Sequence, residues 1–312
     1  MSVVILGSIN IDLVVRVPHL PMSGETVIGD RFLTVSGGKG ANVAVGLAKL
    51  GTPVQLVGQV GADSFGETLI ASLQAVGINT DSIRVNPAIH SGIASIVVDR
   101  GGQNAIACAA GANALITEEE VQVFSTLSHQ AKVAILELGI PLEMVIMAAQ
   151  VARANHNIVI LDPAPACSSL PEPLYKLVDI ITPNEIEATQ LVGFTVDSVT
   201  TARQAAFVLH EKGIPNVIIT LGYRGALYSN PSTDYFIPAV KVKAIDSVAA
   251  GDAFNAAFAA ALVADKSIVE AVHWGVVAGG LAAAKQGAQS SLPDQASFFN
   301  LLKQQDFFLK RS

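Results

Sequence analysis

From Thr117 onward, short apolar runs alternate with longer segments that have the apolar spacing of a helix. The strand-like runs span 132–138, 158–161, 179–182 and 216–221, and the helical patterns span about 117–129, 141–155, 184–192 and 200–212. Parallel strands joined by helical crossovers produce this alternation, because a hairpin cannot connect them. Hydrophobic residues make up 51% of the chain and aromatic residues only 5%, which is typical of strands buried on both faces. We therefore predict an α/β fold with a doubly wound, mostly parallel sheet flanked by helices.

The amino-terminal third carries a second set of extended segments. Extended patterns at 11–17 and 26–35 and a hairpin pattern at 93–98 and 104–109 predict a small separate sheet within 11–35 and 92–110. The other predicted elements are strands at 3–6 and 54–57 and helices at 41–50, 64–76, 250–264, 267–285 and 294–305. Because the chain contains no repeat or linker-like segment, we expect a single domain over residues 1–312.

Charge and composition exclude several classes of protein. A net charge of −7 without a Lys/Arg cluster argues against nucleic-acid binding, and no apolar run reaches the length of a membrane helix. Asp12 and Arg16 interrupt the start, Met1 to Val17, which therefore predicts a strand and not a signal peptide. Cys108 and Cys167 have no pairing or metal-binding spacing, so we expect buried free thiols and a cytoplasmic location.

The segment Asp246 to Asn255 has the pattern of an anion-binding helix start. Small residues precede a long predicted helix, and N–H groups from Ala249 to Asp252 are expected to be free and to carry partial positive charge. Asp252 in the first turn has two interpretations. It either complements the helix dipole, or it accepts a proton from an alcohol while the neighbouring N–H groups stabilise a transferred phosphoryl group.

Six motifs in a fixed order carry a resemblance to a known family. They are Gly7–Asp12, Gly37–Asn42, Asp162–Pro165, Thr182–Glu187, Thr220–Gly225 and Asp246–Asn255. Together they make the chain, over nearly its whole length, similar to the ribokinase-like (PfkB) family of sugar and nucleoside kinases. The resemblance implies that family's fold, in which the small β-sheet is a lid over the sugar.

The resemblance also implies roles for individual residues. Asp252 matches the catalytic base, and the anion hole is matched by Ala249, Ala250 and Gly251. The positions that bind the sugar are matched by Asn10, Asp12, Gly38, Lys39 and Asn42. The positions that bind ATP are matched by Asn184, Thr220, Gly222, Gly225, Gly251 and Val276. Glu187 matches a residue that holds Mg²⁺ through water, three positions after Asn184 on one side of a helix start.

Activation by a monovalent cation such as K⁺ and a homodimer paired through the lid sheets are implied as well. The cation ligands are matched by Asp246 and Ser291 with their side chains and by Val248, Ala282, Lys285 and Gly287 with their carbonyl groups.

Two positions depart from the family pattern. Gly139 stands where the family has a sugar-contacting Glu, and Glu137, two residues earlier, faces the same side of a strand and is a candidate replacement. Val276 stands in place of a His near the adenine.

Three functional hypotheses follow. The first is an ATP-dependent kinase that phosphorylates D-ribose at its 5-hydroxyl. The second is a kinase of the same family for deoxyribose, a ketose, a sugar acid or a nucleoside. The third is a non-catalytic sugar or nucleotide sensor, which the presence of Asp252 disfavours. A dehydrogenase is excluded, because no G-x-G-x-x-G motif follows the first strand.

Overall fold

The structure is a computed structural model that describes residues 2–309, so Met1 and 310–312, the ends of the predicted domain, lie outside the described residues. The strands are β1 Ser2–Leu6, β2 Asn10–Arg16, β3 Arg31–Gly37, β4 Val54–Gly61, β5 Ile83–Asn86, β6 Gly92–Val98, β7 Asn104–Ala109, β8 Ala131–Glu137, β9 Ile158–Asp162, β10 Ile180–Ile181, β11 Asn216–Thr220, β12 Gly225–Asn230 and β13 Thr233–Pro238. The helices are α1 Lys39–Lys49, α2 Ser64–Ala75, α3 Glu118–Ser128, α4 Leu142–Ala154, α5 Glu172–Leu177, α6 Glu185–Val192, α7 Val199–Glu211, α8 Ala250–Val263, α9 Ile268–Ala283 and α10 Gln295–Leu309.

The main sheet has nine strands in the order β13-β12-β11-β10-β9-β8-β1-β4-β5. The pairs from β5 through β1 to β11 are parallel, and β12 and β13 complete one edge as antiparallel strands. The predicted doubly wound, mostly parallel α/β fold is therefore confirmed.

Alternate residues of the central strand β1 belong to two different hydrophobic cores. Val3 and Ile5 pack with residues of α1, α8 and α9 on one face, whereas Val4 and Leu6 pack with residues of α3, α4 and α7 on the other. All four side chains are fully buried, which explains the continuous apolar run in the sequence. Although α8 and α9 are rich in alanine and valine, the described part of the chain has no helix that could cross a membrane.

The second sheet has four strands in the order β3-β2-β6-β7. The predicted β6–β7 hairpin is present, and β2 pairs with β6 in parallel and with β3 in an antiparallel ladder. The extended segment predicted at 26–35 is wrong at its start, because the chain turns at Asp30, whose N–H donates to the carbonyl of Arg16, and β3 begins only at Arg31. The expectation of buried thiols is also wrong, because Cys108 is exposed on the edge strand β7 and Cys167 is only half-buried.

Four short elements were not predicted from the sequence, namely β5, α5, β12 and β13. The β12–β13 hairpin is closed by Asn230, whose side-chain oxygen accepts hydrogen bonds from the N–H groups of Ser232 and Thr233. Asn, Pro and Ser are typical turn residues, so the sequence Asn230-Pro231-Ser232 could have predicted this hairpin.

The strand order reverses at β1, which has β4 on one side and β8 on the other. In such sheets, ligands bind at the carboxyl ends of the strands beside the reversal. Those ends lead into Ser8 after β1, Glu137 at the end of β8 and Asp162 at the end of β9. The amino-terminal ends of α1 and α8 carry the predicted sugar and catalytic residues, and the two helices pack against each other.

Gly46 sets the closeness of α1 and α8, because a methyl group built on it would lie 2.7 Å from the Cβ atom of Ala256. A Gly→Ala change inside a helix ordinarily stabilises it by about 0.5–1 kcal/mol. Gly46→Ala should instead lower the free energy of unfolding by about 1–3 kcal/mol through overpacking, measured by urea denaturation.

The double variant Gly46→Ala/Ala256→Gly removes the opposing methyl group and serves as the matched control. It should recover part of the lost stability. A single variant as stable as the wild type would show that the helix contact is not tight.

Candidate active site

Asp252 lies in the first turn of α8 and is 5% exposed. One carboxylate oxygen, Oδ2, accepts a hydrogen bond of 2.7 Å from the side-chain amide of Asn42 on α1. The other, Oδ1, lies 3.7 Å from the Lys39 ammonium and has no hydrogen-bond partner among the described residues. A buried carboxylate oxygen with a spare lone pair is suited to accept a hydrogen bond from an alcohol.

The start of α8 has the backbone shape of an anion site. Ala249, the residue before the helix, adopts the left-handed conformation with φ 59°. At Gly251 a Cβ atom would meet no other atom within 4 Å, so space is open beside the N–H groups of the first turn. The N–H of Ala250 donates to the carbonyl of Ser247 at 3.2 Å. The expectation that all N–H groups from Ala249 to Asp252 are free is therefore wrong at Ala250.

Lys39 lies between two buried carboxylates. Its ammonium is 3.3 Å from Oδ2 of Asp162 and 3.7 Å from Oδ1 of Asp252, and about one third of the side chain is exposed. Burial lowers the pKa of Lys39, but the carboxylates of Asp162, Asp252, Glu187 and Glu137 outweigh it and hold the pKa above its usual value. Lys39 therefore stays a cation in the centre of an acidic pocket.

Asp162 and Asn255 complete this group and were missed as site residues. Asp162 is the last residue of β9, and its Oδ2 also accepts a hydrogen bond of 3.3 Å from Asn255. Burial raises the pKa of Asp162, although Lys39 opposes the shift. Two signals were available in the sequence: Asp162 ends a strand, and Asn255 stands three residues after Asp252 on the same side of α8.

The predicted sugar residues meet where the second sheet joins the main sheet. Asn10 and Asp12 lie two residues apart on β2 and so face the same side. Burial raises the pKa of Asp12 to about 7, and the charge of Asp252 adds to the shift. Asp12 therefore lies close enough to the predicted base to interact with its charge. Gly38 precedes α1 with φ 92°, and a Cβ atom there would lie 2.6 Å from the backbone nitrogen of Asn10.

Glu137 is 2% exposed and its carboxylate is bound to the backbone. One oxygen accepts from the N–H of Ser8, and the other accepts from the N–H of Gly139 at 2.6 Å. Burial raises the pKa of Glu137 to about 7, although these N–H groups oppose the shift. A Cβ atom at Gly139 would lie 2.7 Å from this carboxylate, so Glu137 and a larger residue at 139 compete for the same space.

Asn184 and Glu187 form a reciprocal cap at the start of α6. The Asn184 oxygen accepts from the N–H of Glu187, and the Glu187 carboxylate accepts from the backbone and side-chain N–H groups of Asn184 at 2.8 Å each. Burial and the charge of Asp162 raise the pKa of Glu187 to about 7. A cation beside Glu187 would relieve this repulsion, so the residues fit the predicted magnesium site. Residues 2–309 contain no cluster of three or more potential metal-ligating side chains.

The other predicted nucleotide residues follow β11 and lie on α9. Thr220 ends β11, and Gly222 and Gly225 adopt positive φ angles of 53° and 123° around a tight turn. A Cβ atom at Gly225 would lie 2.1 Å from the carbonyl oxygen of Ile237, so this position requires glycine. Val276 is 7% exposed on α9 and belongs to the hydrophobic core that α9 forms with α8.

Asp246 brings several of the predicted cation-site residues together. Its Oδ1 accepts from the N–H of Val248 at 3.1 Å, and its Oδ2 accepts from the N–H of Gly287 at 3.0 Å. The other predicted members make bonds within their own turns, since Lys285 N–H donates to the Ala282 carbonyl and the Ser291 hydroxyl donates to the Ala288 carbonyl.

A neighbouring cation was not anticipated. The Lys49 ammonium at the end of α1 donates to the carbonyls of Gln289 and Leu292, at 2.6 and 3.2 Å, in the segment between Gly287 and α10. The helix that carries Lys39 and Asn42 at its start therefore holds the predicted cation segment at its end.

Comparisons with known proteins assign the family. Residues 1–295 match the pfkB family carbohydrate kinases. The ribokinase of Haemophilus influenzae is 40% identical over 302 residues, which are 97% of this chain and 98% of the relative. The deoxyribokinase of Salmonella typhi is 34% identical over 298 residues, 96% of this chain and 97% of the relative.

A solved structure, that of Arabidopsis thaliana ribokinase complexed with ribose and ATP, is 31% identical with a TM-score of 0.88, covering 97% of this chain and 98% of that one. The chain therefore belongs to the pfkB family of carbohydrate kinases, which are phosphotransferases with an alcohol group as acceptor.

Proposed function

We propose that the protein transfers the γ-phosphoryl group of ATP to the 5-hydroxyl of D-ribose and releases ribose 5-phosphate and ADP. The observation that carries this proposal is Asp252, a buried carboxylate with one oxygen held by Asn42 and the other without a partner among the described residues. The full-length similarity to ribokinases supports D-ribose as the acceptor.

Asp252 acts as the general base in this reaction. The sugar hydroxyl donates to Oδ1, its oxygen attacks the γ-phosphorus, and its proton passes to the carboxylate as the bond to the ADP oxygen breaks. Asn42 keeps the carboxylate oriented, and Lys39 keeps positive charge beside it. The N–H groups at Gly251 and Asp252, with the dipole of α8, stabilise the charge on the transferred group.

Asn10, Asp12, Gly38, Lys39 and Asn42 are proposed to bind the sugar. Carboxylate, ammonium and amide groups match hydroxyls that both donate and accept. Glu137 is also predicted to bind the sugar. Each of its two oxygens already accepts one hydrogen bond, from the N–H of Ser8 or of Gly139, so a sugar hydroxyl would have to share an oxygen with one of these groups.

Asn184, Thr220, Gly222, Gly225 and Val276 are proposed to line the ATP site. Glu187 would hold Mg²⁺ through water, and the ion supplies charge neutralisation of the triphosphate when it is bound. The nearby charge of Asp162 supports a cation at this point, because two carboxylates close together repel each other.

The segment around Asp246 is proposed to bind K⁺. The hydrogen bonds of Asp246 to Val248 and Gly287 support this proposal, because they join the segment before α8 to the segment after α9. A cation held there by Val248, Ala282, Lys285, Gly287, Asp246 and Ser291 would order the start of α8, which carries Gly251 and Asp252.

The second sheet is proposed to close over the sugar as a lid and to pair with the lid of a second copy. Its side chains support this: β7 is exposed along its length, Ile106 is 54% exposed, and Phe32 on β3 is 61% exposed. Apolar residues on an open sheet are typical of an interface. The two unpaired cysteines suit a cytoplasmic location.

The second candidate acceptor, after D-ribose, is 2-deoxy-D-ribose, and two observations support it. The chain is 34% identical to a deoxyribokinase, and Gly139 lacks the carboxylate that the family places there.

The buried, intact group of Asp252, Asn42 and Lys39 argues against a sensor without catalysis.

ADP release with MgATP and K⁺ tests the proposal directly. D-ribose should be turned over faster than 2-deoxyribose, fructose or adenosine, and Asp252→Asn should lower kcat by about 10²–10⁴-fold, because the general base is removed.

Asp234→Asn, on the edge strand β13, is the matched control and should leave kcat unchanged. Faster turnover of 2-deoxyribose would replace the acceptor, whereas no turnover with any of the four would refute the proposed function.

The pH dependence should report Asp12. Because the pKa of Asp12 is raised to about 7, kcat/KM for D-ribose should rise with pH through about 7, as the carboxylate that accepts from the sugar forms. Asp12→Asn should raise KM for D-ribose and weaken this pH dependence in initial rates at saturating MgATP. The contributions of Glu137 and Glu187, whose pKa values are also raised to about 7, should remain.

The same carboxyl affects stability with a defined sign. Between the ordinary pKa of about 4 and about 7, the folded state binds more protons at Asp12 than the unfolded state does, so stability falls as pH rises through this window. Asp12→Asn should lessen that fall in urea denaturation. An unchanged pH profile in both measurements would contradict the raised pKa.

A further inference from the structure

Asn113 lies in the short 3-10 helix Gly111–Leu115, directly after the last lid strand, and is 1% exposed. Its side-chain oxygen accepts from the N–H of Ile9 at 2.9 Å. Its NH₂ group donates to the carbonyls of Ile9 and Ala110, at 3.2 and 3.1 Å, and to Oδ1 of Asn10 at 2.7 Å. The amide of Asn113 is therefore fully engaged, and its orientation is fixed by donors on one side and acceptors on the other.

This fixed orientation determines that of Asn10. With Oδ1 of Asn10 bound to the NH₂ group of Asn113, the group that Asn10 presents to its other side is its own NH₂. A rotated Asn10 would place its NH₂ group against that of Asn113, so the 2.7 Å hydrogen bond, the shortest that Asn113 makes, would be replaced by a contact between two donors.

We propose that Asn113 is a positioning residue that makes Asn10 a hydrogen-bond donor to the sugar. The inference rests on the proposed function and extends it to the recognition of a hydroxyl pair. Asp12, two residues along on the same face of β2, can only accept when it is ionised. Asn10 and Asp12 thus place a donor and an acceptor side by side. Asn10 donates to the oxygen of one sugar hydroxyl, and Asp12 accepts the hydrogen of another.

Gly92, the first residue of β6, packs directly against the same hydrogen bond. A Cβ atom at Gly92 would lie 2.2 Å from both Oδ1 of Asn10 and Nδ2 of Asn113. The N–H of Ala112 donates to the carbonyl of His90 at 2.9 Å, which ties the segment after β7 to the segment before β6. Residues at the ends of β2, β6 and β7 therefore meet at Asn113. The position of these lid strands and the orientation of the Asn10 side chain depend on the same contacts.

Asn113→Asp tests the proposal with an isosteric change. A carboxylate oxygen then faces Oδ1 of Asn10, so the Asn10 amide rotates and turns its oxygen toward the sugar. KM for D-ribose should rise about 5–30-fold, the effect of one lost hydrogen bond and one repulsive contact. KM for MgATP and kcat should stay within about twofold.

Because the new carboxylate also faces the carbonyls of Ile9 and Ala110, Asn113→Asp will be less stable. Asn113→Ala avoids this repulsion and leaves Asn10 free to rotate, so it should raise KM for D-ribose by a smaller factor.

Asn157→Asp is the matched control. Asn157 is 4% exposed and donates to the carbonyls of Ser128 and Ala131, directly before β9 and so at the amino end of the strand whose carboxyl end carries Asp162. It should lower stability comparably and leave KM for D-ribose unchanged.

Deoxy sugars separate positioning from a general loss of structure. With 2-deoxy- and 3-deoxy-D-ribose, the KM penalty of Asn113→Asp should disappear for the sugar that lacks the hydroxyl bound by Asn10, and persist for the other. Equal penalties for all sugars, or an unchanged KM for D-ribose in both folded Asn113 variants, would overturn the inference alone. A wild-type protein that turns over none of the sugars would overturn the proposed function and this inference with it.

Discussion

The site is organised by one ammonium group, that of Lys39, between the buried carboxylates of Asp162 and Asp252. Two carboxylates with nearly no exposure would repel each other and lose hydration without a cation between them. Lys39 begins α1, Asp162 ends β9, and Asp252 lies in the first turn of α8, so these three charged groups hold together three elements from distant parts of the chain.

The rest of the architecture places this group where chemistry can occur. The strand order reverses at β1, and the carboxyl ends of β1, β8 and β9 lie beside this reversal, where sheets of this kind bind ligands. Asn42, one turn into α1, meets Asp252 in the first turn of α8 because the two helices pack closely at Gly46. The second sheet joins the main sheet beside this point, and its strand β2 brings Asp12 into the field of Asp252.

Local patterns in the sequence predicted the alternating elements, the β6–β7 hairpin and the helix start at Asp252, because each depends on residues close together in the chain. Local patterns place Asp162 at a strand end and Asn255 beside Asp252 on α8, but they do not show which residues these two contact, and they give no signal for Asn113. Asp162 meets Asn255 across 93 positions, and Asn113 meets Asn10 across 103 positions, so only the folded chain shows these contacts. The tie of Glu137 to Ser8, across 129 positions, is invisible for the same reason.

The central claim is that Asp252 directs phosphoryl transfer to a primary hydroxyl of the sugar. Phosphorus NMR of the product formed from MgATP and D-ribose tests it most directly, because a phosphate ester on the 5-carbon couples to two methylene protons. A single sugar phosphate with a triplet from this coupling, formed in equal amount to ADP, is expected. A doublet from a phosphate on a ring carbon, or inorganic phosphate in place of the ester, would contradict it.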